Sequence, residues 1–500
     1  MIPCLAVAGL HHELEELMQT RQAVAIIGGG ASGLFTAIQI ISQGGRNGPR
    51  VHLIEKEETF GFGAAYSTND PSHLLNTRVG NVSGFPDKPR HFLDWLQTNS
   101  EGSGPINPSS FVSRQTYGRY LRSLLCDAVT GANAAGRFYI GPDEAVSVRR
   151  ALDGGFSVQL ALGKEFKAES VVLALGNPPP HPPGIADSDV LASPHYIGDP
   201  WSCSLPDIEP KDGPILILGA GLTMVDVVMS LAQNGHRGPV MALSRRGLLP
   251  RRHLEAHSGH RLPTPPQLSL NIVSDLRVIR RLVREQNQKG GDWRDVIDAL
   301  RPITTAYWRS LPLPDQRRFL RHLRPWWDVH RHRLAPRVAE ELDSLLASGT
   351  LKIMQGRLKS LALTNNPVLP VSVGWMPKAT HAEQRFSVTK IINCMGPGGN
   401  LRLSPFVLIR QMISERLIES DALALGLAVD EEGRALNPSG EAEPGLFALG
   451  PITRGTFWEV TAIPDIRVKA EGVAKAVLLA LAREHAMSRF PAFQCQCLSR

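Results

Sequence analysis

Three glycines, Gly28, Gly30 and Gly33, stand in "VAIIGGGASG" at the G-x-G-x-x-G spacing, and Gly219 and Gly221 repeat the first two positions in "ILILGAGLTMVD". Glycines so spaced let a strand turn sharply into a helix, bring backbone N–H groups against a pyrophosphate and keep the helix close to its strand. The helix N-terminus adds positive potential. The chemistry this marks is the binding of two dinucleotides by one chain. One turn is expected to hold a flavin permanently, the other to bring a nicotinamide that delivers hydride to it.

The strand that follows each turn tells the two apart. "RVHLIEKE" reaches Glu55, 27 residues beyond Gly28, where a carboxylate accepts hydrogen bonds from an adenosine ribose. At the second site "PVMALSRR" ends in Ser244, Arg245 and Arg246. An acid there favours the ribose hydroxyls of NAD, whereas a guanidinium pairs bidentately with the 2′-phosphate of NADP, so NADPH is expected. Met224 fills the third glycine position of the second turn, which sets helix and strand a little further apart. Ser32 and Lys56 join the first set of candidates and Thr223 the second.

Each set needs a strand, helix, strand unit to position it. "QAVAIIGGG", "ASGLFTAIQIISQ" and "RVHLIEKE" form one, and "PILILGAG", "LTMVDVVMSLAQNG" and "PVMALSRR" the other. The fold class expected is α/β, with two Rossmann-like dinucleotide-binding domains and a helical insertion in the second. After a tail over 1–20, the first part of an FAD-binding domain spans 21–210. An NADP-binding domain spans 211–400, with the arginine-rich insertion at about 265–347. The FAD-binding domain resumes over 401–487, and 488–500 form a second tail. The proline run "NPPPHPPG" marks the first boundary. The long Gly-, Pro-, Asn- and Ser-rich stretch from 60 to 110 carries a loop of functional length.

Composition narrows the classes. With 500 residues, 42% of them hydrophobic, the chain can bury a large core. Glycine, proline or charge interrupts every apolar run before the eighteen or so residues that a membrane span needs, and the N-terminus carries no basic leader, so a soluble, cytoplasmic protein is expected. The six cysteines, at 4, 126, 203, 394, 495 and 497, are too scattered for a disulfide framework and suit a reducing compartment. No Cys-x-x-Cys occurs, which argues against a dithiol relay, and Cys495 and Cys497 are read as part of a solvated tail. No metal site is expected. The net charge of +7 is concentrated from Arg317 to Arg337, where seven arginines and three histidines face one aspartate. No nucleic-acid module surrounds this run, so arginines stacked on Trp326 and Trp327, paired with acids or attracting an anionic ligand, are preferred to nucleic acid.

Beyond the turns, the chain resembles the two-dinucleotide-binding-domain flavoproteins, which include glutathione-reductase-like enzymes and the class B flavin monooxygenases. It looks most like a bacterial family of FAD/NAD(P)-binding proteins of unassigned substrate. The resemblance rests on "GGGASG", "GFGAAYSTNDPSHLLNTRVGNVSGFPDKPRHFLDWL", "YIGDPW", "ILGAGLTMVD", the "WW" and His/Arg insertion, and "LGPITRGTFWEVTAIPDIR". It implies FAD at Gly28, Gly30, Gly33 and Glu55, Gly176 and Gly450 near FAD, and Gly396 at the domain junction. Many relatives carry Gly-Asp after the strand that here ends in "FALG". Here Pro451 follows Gly450, and Thr453, Arg454 and the helix beginning near Pro464 are the candidates to replace that contact.

The loop after Glu55 brings Tyr66, His73, Asn76 and Arg78 as candidates to frame the isoalloxazine, with His73 read as structural before catalytic. Asn76, Arg454 and Glu459 are the catalytic candidates, and Phe457 and Trp458 an aromatic wall. The activity expected is an NADPH-dependent, FAD-dependent oxidoreductase, most simply a monooxygenase acting on a small molecule, with Arg324, His330 and Arg331 gating an anionic substrate. The alternatives are a reductase passing electrons to an acidic iron–sulfur protein, and a flavin-binding protein without turnover.

Overall fold

The computed structural model describes residues 22–489 apart from 58–59, 100–105, 132–133, 135, 203–207, 256–261, 263 and 381. The N-terminal tail, Cys495 and Cys497 lie outside the described residues. Among the described residues no helix is long and apolar enough to cross a membrane, and no group of three or more His, Cys, Asp or Glu is placed to hold a metal ion.

The first sheet begins with β1 (Ala23–Ile27), whose five residues are all buried, as a continuous apolar run requires of a central parallel strand. Helix α1 (Ala31–Gln43) returns the chain to β2 (Arg50–Glu55), parallel to β1. Helix α2 (Arg114–Thr130) leads to β3 (Phe138–Pro142). A small antiparallel sheet of β4 (Ala145–Arg150), β5 (Phe156–Leu160) and β6 (Glu165–Ala168) precedes β7 (Ser170–Leu173), which pairs with the other edge of β1. Alternation along β1 divides the core. Val24 and Ile26 pack with α1 and α2, while Ala23, Ala25 and Ile27 pack with the small sheet.

After the proline run the chain enters a second sheet through β8 (Tyr196–Ile197) and β9 (Ile215–Leu218). Helix α3 (Leu222–Gln233) connects β9 to its parallel neighbour β10 (Val240–Ser244). Next come α4 (Ile272–Gln288), α5 (Trp293–Ser310), α6 (Leu313–Arg318) and α7 (Arg324–Arg331), with a π-helical turn over Phe319–Leu323 between the last two. Pro325, which cannot donate a backbone N–H, sits in the first turn of α7, directly after this wide turn.

Helix α8 (Pro336–Ala347) departs from the expected insertion. Val338, Ala339 and Leu342 are buried in one cluster with Val225 and Val228 of α3, so α8 is the crossover that the parallel pair β10 and β11 (Leu351–Leu363) requires. The inserted helical body therefore ends near Arg331. Strands β12 (Val371–Pro377), β13 (Gln384–Val388) and β14 (Lys390–Asn393) complete the sheet in the order β13-β12-β11-β10-β9-β14-β8. The chain then returns to the first sheet with β15 (Arg434–Leu436) and β16 (Ala442–Ala448), giving the order β15-β16-β7-β1-β2-β3. Helix α9 (Ile463–Arg489) packs along α1.

Candidate functional site

Both glycine turns are built by the same close approach. Gly28 has φ 107°, and a Cβ there would lie 2.3 Å from the Ala174 carbonyl oxygen. Gly219 has φ 111°, and its Cβ would lie 2.3 Å from that of Cys394. In each case the glycine N–H is held by the strand beyond, at 2.8 Å to Ile54 O and 2.9 Å to Leu243 O. The helices that follow open at Gly30 and Gly221 with no side-chain cap and no acid in the first turn. Their leading N–H groups and positive ends are thus left for an anion, so the residues fit dinucleotides at both places.

The third positions differ. A Cβ at Gly33 would fall 1.9 Å from Gly28 O, so α1 sits as near to β1 as a bare backbone allows. Met224 is fully buried at the equivalent place on α3. The strand ends differ too. The Glu55 carboxylate accepts the Gly29 N–H at 2.8 Å and so braces the first turn. Ser244 Oγ accepts the Gly247 N–H at 3.0 Å, holding a bend that leaves Arg245 exposed and without a partner among the described residues, while Arg246 reaches Arg321 O at 3.5 Å. Lys56 is exposed beside Glu57, and Thr223 lies half-buried in the first turn of α3.

The last strand closes on the first turn. At Gly450, with φ 80°, a Cβ would meet Ser32 Oγ at 2.4 Å, so this turn abuts the start of α1. Thr453 is buried and its hydroxyl donates to Gly450 O at 2.9 Å, which braces the turn after Pro451. Gly176 and Gly396 both have positive φ.

The candidates in the loop after Glu55 are mostly engaged elsewhere. His73 is buried. Its Nδ1 lies 2.9 Å from Thr68 Oγ1, and its Nε2 lies 2.9 Å from Ser230 Oγ and 3.1 Å from Asp226 O, both on α3. Arg78 donates to the carbonyls of Ser109, Leu254 and Glu255. The Asn76 carbonyl accepts from His253 Nε2 at 3.0 Å, and Arg114 pairs with Asp226 at 2.7 Å. These contacts form a polar seam between the halves built on the two sheets, in which Asn76 takes part through its backbone carbonyl while its side chain accepts from Thr77 Oγ1 at 3.4 Å. Tyr66 packs on Tyr117 at 4.9 Å, and burial pushes its hydroxyl up to about 12.

Glu459 and its neighbours anchor the insertion. Its carboxylate accepts the Trp327 indole N–H at 3.0 Å and pairs with Arg331 at 3.0 Å. Burial alone would raise this carboxyl, but Arg331, His332 and the Trp327 bond together hold it below the usual range. Glu459 is therefore an ionised anchor. Arg454 is pushed down to about 10 by burial and by Arg324, and lies 4.8 Å from the Trp458 ring centre. Trp458 has φ 59° and ψ −64°, and Glu459 N donates to Phe457 O at 2.7 Å. This is a γ-turn of the strained hand, which costs on the order of 1–3 kcal/mol and needs surrounding packing to hold it. Trp308 at 4.7 Å and Phe319 at 5.3 Å supply that packing.

The expected anionic gate is not formed. Arg324 pairs with Asp328, Arg331 with Glu459, and His330 Nδ1 bonds Trp326 O at 2.7 Å. Arg318, Arg333 and Arg337 pair with Asp315, Asp298 and Glu341. Five of the seven arginines of the basic stretch are thus paired locally. A cavity of about 410 Å³ instead lies between the inserted helices and Trp458.

Fold and turns together define an α/β chain with two Rossmann-like strand, glycine turn and helix units. Residues 25–178 match the family described as FAD-NAD(P)-binding. A nitrosuccinic acid synthase of Aspergillus oryzae is 26% identical over 248 residues, which are 44% of this chain but only 36% of that protein. Among solved structures, the ornithine N-hydroxylase of Kutzneria sp. 744, solved with reduced FAD, NADP+ and L-ornithine, is 12% identical with a TM-score of 0.59. It covers 93% of this chain and 100% of its own. The ornithine hydroxylase of Pseudomonas aeruginosa (13% identical, TM-score 0.61) covers 92% of this chain and 99% of its own. The L-lysine 6-monooxygenase of Pseudomonas syringae (14%, 0.61) covers 92% and 100%. At these identities the likeness is one of fold.

Proposed function

We propose that this chain is an NADPH-dependent flavoprotein oxidoreductase of the monooxygenase kind, with FAD at the Gly28 turn and NADPH at the Gly219 turn. The observation that carries the reading is the pair of uncapped helix N-termini, each entered through a glycine pressed on a neighbouring strand's carbonyl, one beside Glu55 and the other beside Arg245 and Arg246. The fold shared with the N-hydroxylating enzymes supports the choice of oxygen as acceptor, and the nitrosuccinic acid synthase match agrees with it.

Bound FAD supplies two-electron chemistry between a nicotinamide and oxygen or a small acceptor. The chain's own groups bind and orient. The N–H groups of Ala31, Ser32 and Gly33 would hold the FAD phosphates, and the Glu55 carboxylate, which holds Gly29 through one oxygen and accepts weakly from Glu57 N at the other, would accept from the ribose. Gly176, Gly450, Pro451 and Thr453 would line the flavin site, with Arg454 following them in the chain as a cation available to it. On the second site Gly221 and Thr223 open α3 to the nicotinamide dinucleotide, and Arg245 and Arg246 meet its 2′-phosphate. The seam of His73, Arg78, Asn76 and Arg114 holds the two sites in register.

Protein loaded with FAD is expected to be yellow, to lose its visible absorption when NADPH is added without oxygen, and to recover it with oxygen consumption when air is admitted. A flavin that NADPH leaves unbleached would refute the reading.

A further inference from the structure

The cavity of about 410 Å³ has the size of a small-molecule site, and its walls say what kind of molecule. Five of the eight tryptophans in the chain line it: Trp293, Trp308, Trp326, Trp327 and Trp458. The remaining wall is mainly aliphatic, from α4 and α5.

The polar groups that reach it are largely committed inside the protein. Asp275 is buried, with one oxygen accepting from the Ser269 N–H and hydroxyl at 2.7 and 2.8 Å and the other from the Tyr307 hydroxyl at 2.7 Å. The Thr304 hydroxyl donates to Leu300 O at 2.9 Å, and the indole N–H groups of Trp308 and Trp327 go to Gly455 O and Glu459. Arg280 also lines the cavity and is exposed as a residue. His330 Nδ1 faces a carbonyl and must be the donor there. Its Nε2 has no partner among the described residues. The indole N–H groups of Trp293 and Trp326 are likewise unengaged among them. The unengaged hydrogen-bonding groups left to meet a ligand are thus His330 Nε2 and these two indoles.

A free amino acid brings an ammonium and a carboxylate; the one would meet only Asp275, whose oxygens already accept three hydrogen bonds, and the other only the exposed Arg280, so neither is offered a free buried counter-charge, which is costly. Flat uncharged rings lose little by leaving water and gain stacking on indoles. We infer that the cavity binds an uncharged aromatic or polycyclic small molecule carrying at most hydroxyl or amide groups, and that this is the substrate class of the enzyme; the second half rests on the function proposed above. Trp458 joins the cavity to the Gly450 segment, since the γ-turn that seats its ring against Trp308 lies eight residues past that glycine.

Calorimetric titration of the full FAD-loaded chain with 2-naphthol tests this, with L-ornithine, L-lysine and L-aspartate titrated in parallel. One 2-naphthol per chain is expected, with no heat from the amino acids at the same concentrations. Ile303→Trp, which fills a half-buried part of the lining, should weaken 2-naphthol at least tenfold with flavin content unchanged. Trp326→Ala, at a side chain 44% exposed, should weaken it several-fold without threatening the fold. The inference is overturned if 2-naphthol fails to bind, if neither substitution weakens it, or if an amino acid binds and Ile303→Trp weakens that binding. None of these readings needs NADPH. A chain that binds 2-naphthol but is not bleached by NADPH keeps the cavity's ligand class and loses its place as a substrate site.

Discussion

The Gly28 and Gly219 turns are copies in backbone and opposites in side chain. In both, a Cβ on the positive-φ glycine would fall 2.3 Å from a carbonyl oxygen, and the glycine N–H hangs on the next strand. At the first, Gly33 lets α1 lie directly on the turn and Glu55 braces it. At the second, buried Met224 replaces backbone contact with side-chain packing, and the strand ends in an exposed arginine. On our reading the tight, braced turn suits a cofactor that stays, and the looser turn with a cationic lip suits one that comes and goes.

The largest effect should come from Gly33→Ala. Its methyl would fall 1.9 Å from Gly28 O, so FAD retention should drop by more than about a hundredfold, read as flavin per chain after gel filtration. Met224→Ala should do the reverse, leaving NADP+ affinity within a few-fold while lowering unfolding free energy by about 2–5 kcal/mol, the range for emptying a buried site of this size, measured in urea.

The seam between the sites should respond to acid. Burial, then Arg333, pushes His253 from 6.5 down to about 4. The stability this neutral histidine allows is full above about pH 6.5 and is lost as pH falls toward 4, because only the unfolded chain takes the proton readily. The loss is about 3 kcal/mol at about 1.4 kcal/mol per unit. His253→Asn should flatten the denaturation midpoint across that window. The smallest effect is coenzyme choice. Arg245→Ala with Arg246→Ala should raise the KM for NADPH by about tenfold to a hundredfold, one or two charged hydrogen bonds, and change that for NADH little; equal changes would remove the distinction between the turns.

Much of this was legible in the sequence because buried parallel strands read as unbroken apolar runs and glycine turns punctuate them. "AVAII" and "ILIL" are β1 and β9, and the FAD-NAD(P)-binding match begins two residues into β1. Helix α8 was grouped with the insertion because periodicity marks an apolar face without saying which body covers it. His73 and Arg78 drew attention as polar residues in a long loop, but which partner takes a buried polar group depends on residues some 150 positions away, such as Ser230 and Leu254. The paired charges of Arg331 and Glu459 and the tryptophan-walled cavity were hidden for the same reason. Trp293 and Trp458 are 165 residues apart and share a wall only after folding.

Counting nucleotides on the purified chain tests the assignment of the two turns most directly. Equilibrium dialysis is expected to find one FAD and one NADP+ per chain, with NADP+ binding unchanged as FAD is raised and still present in Gly33→Ala. Two equivalents of either nucleotide, or NADP+ displaced by FAD, would contradict it.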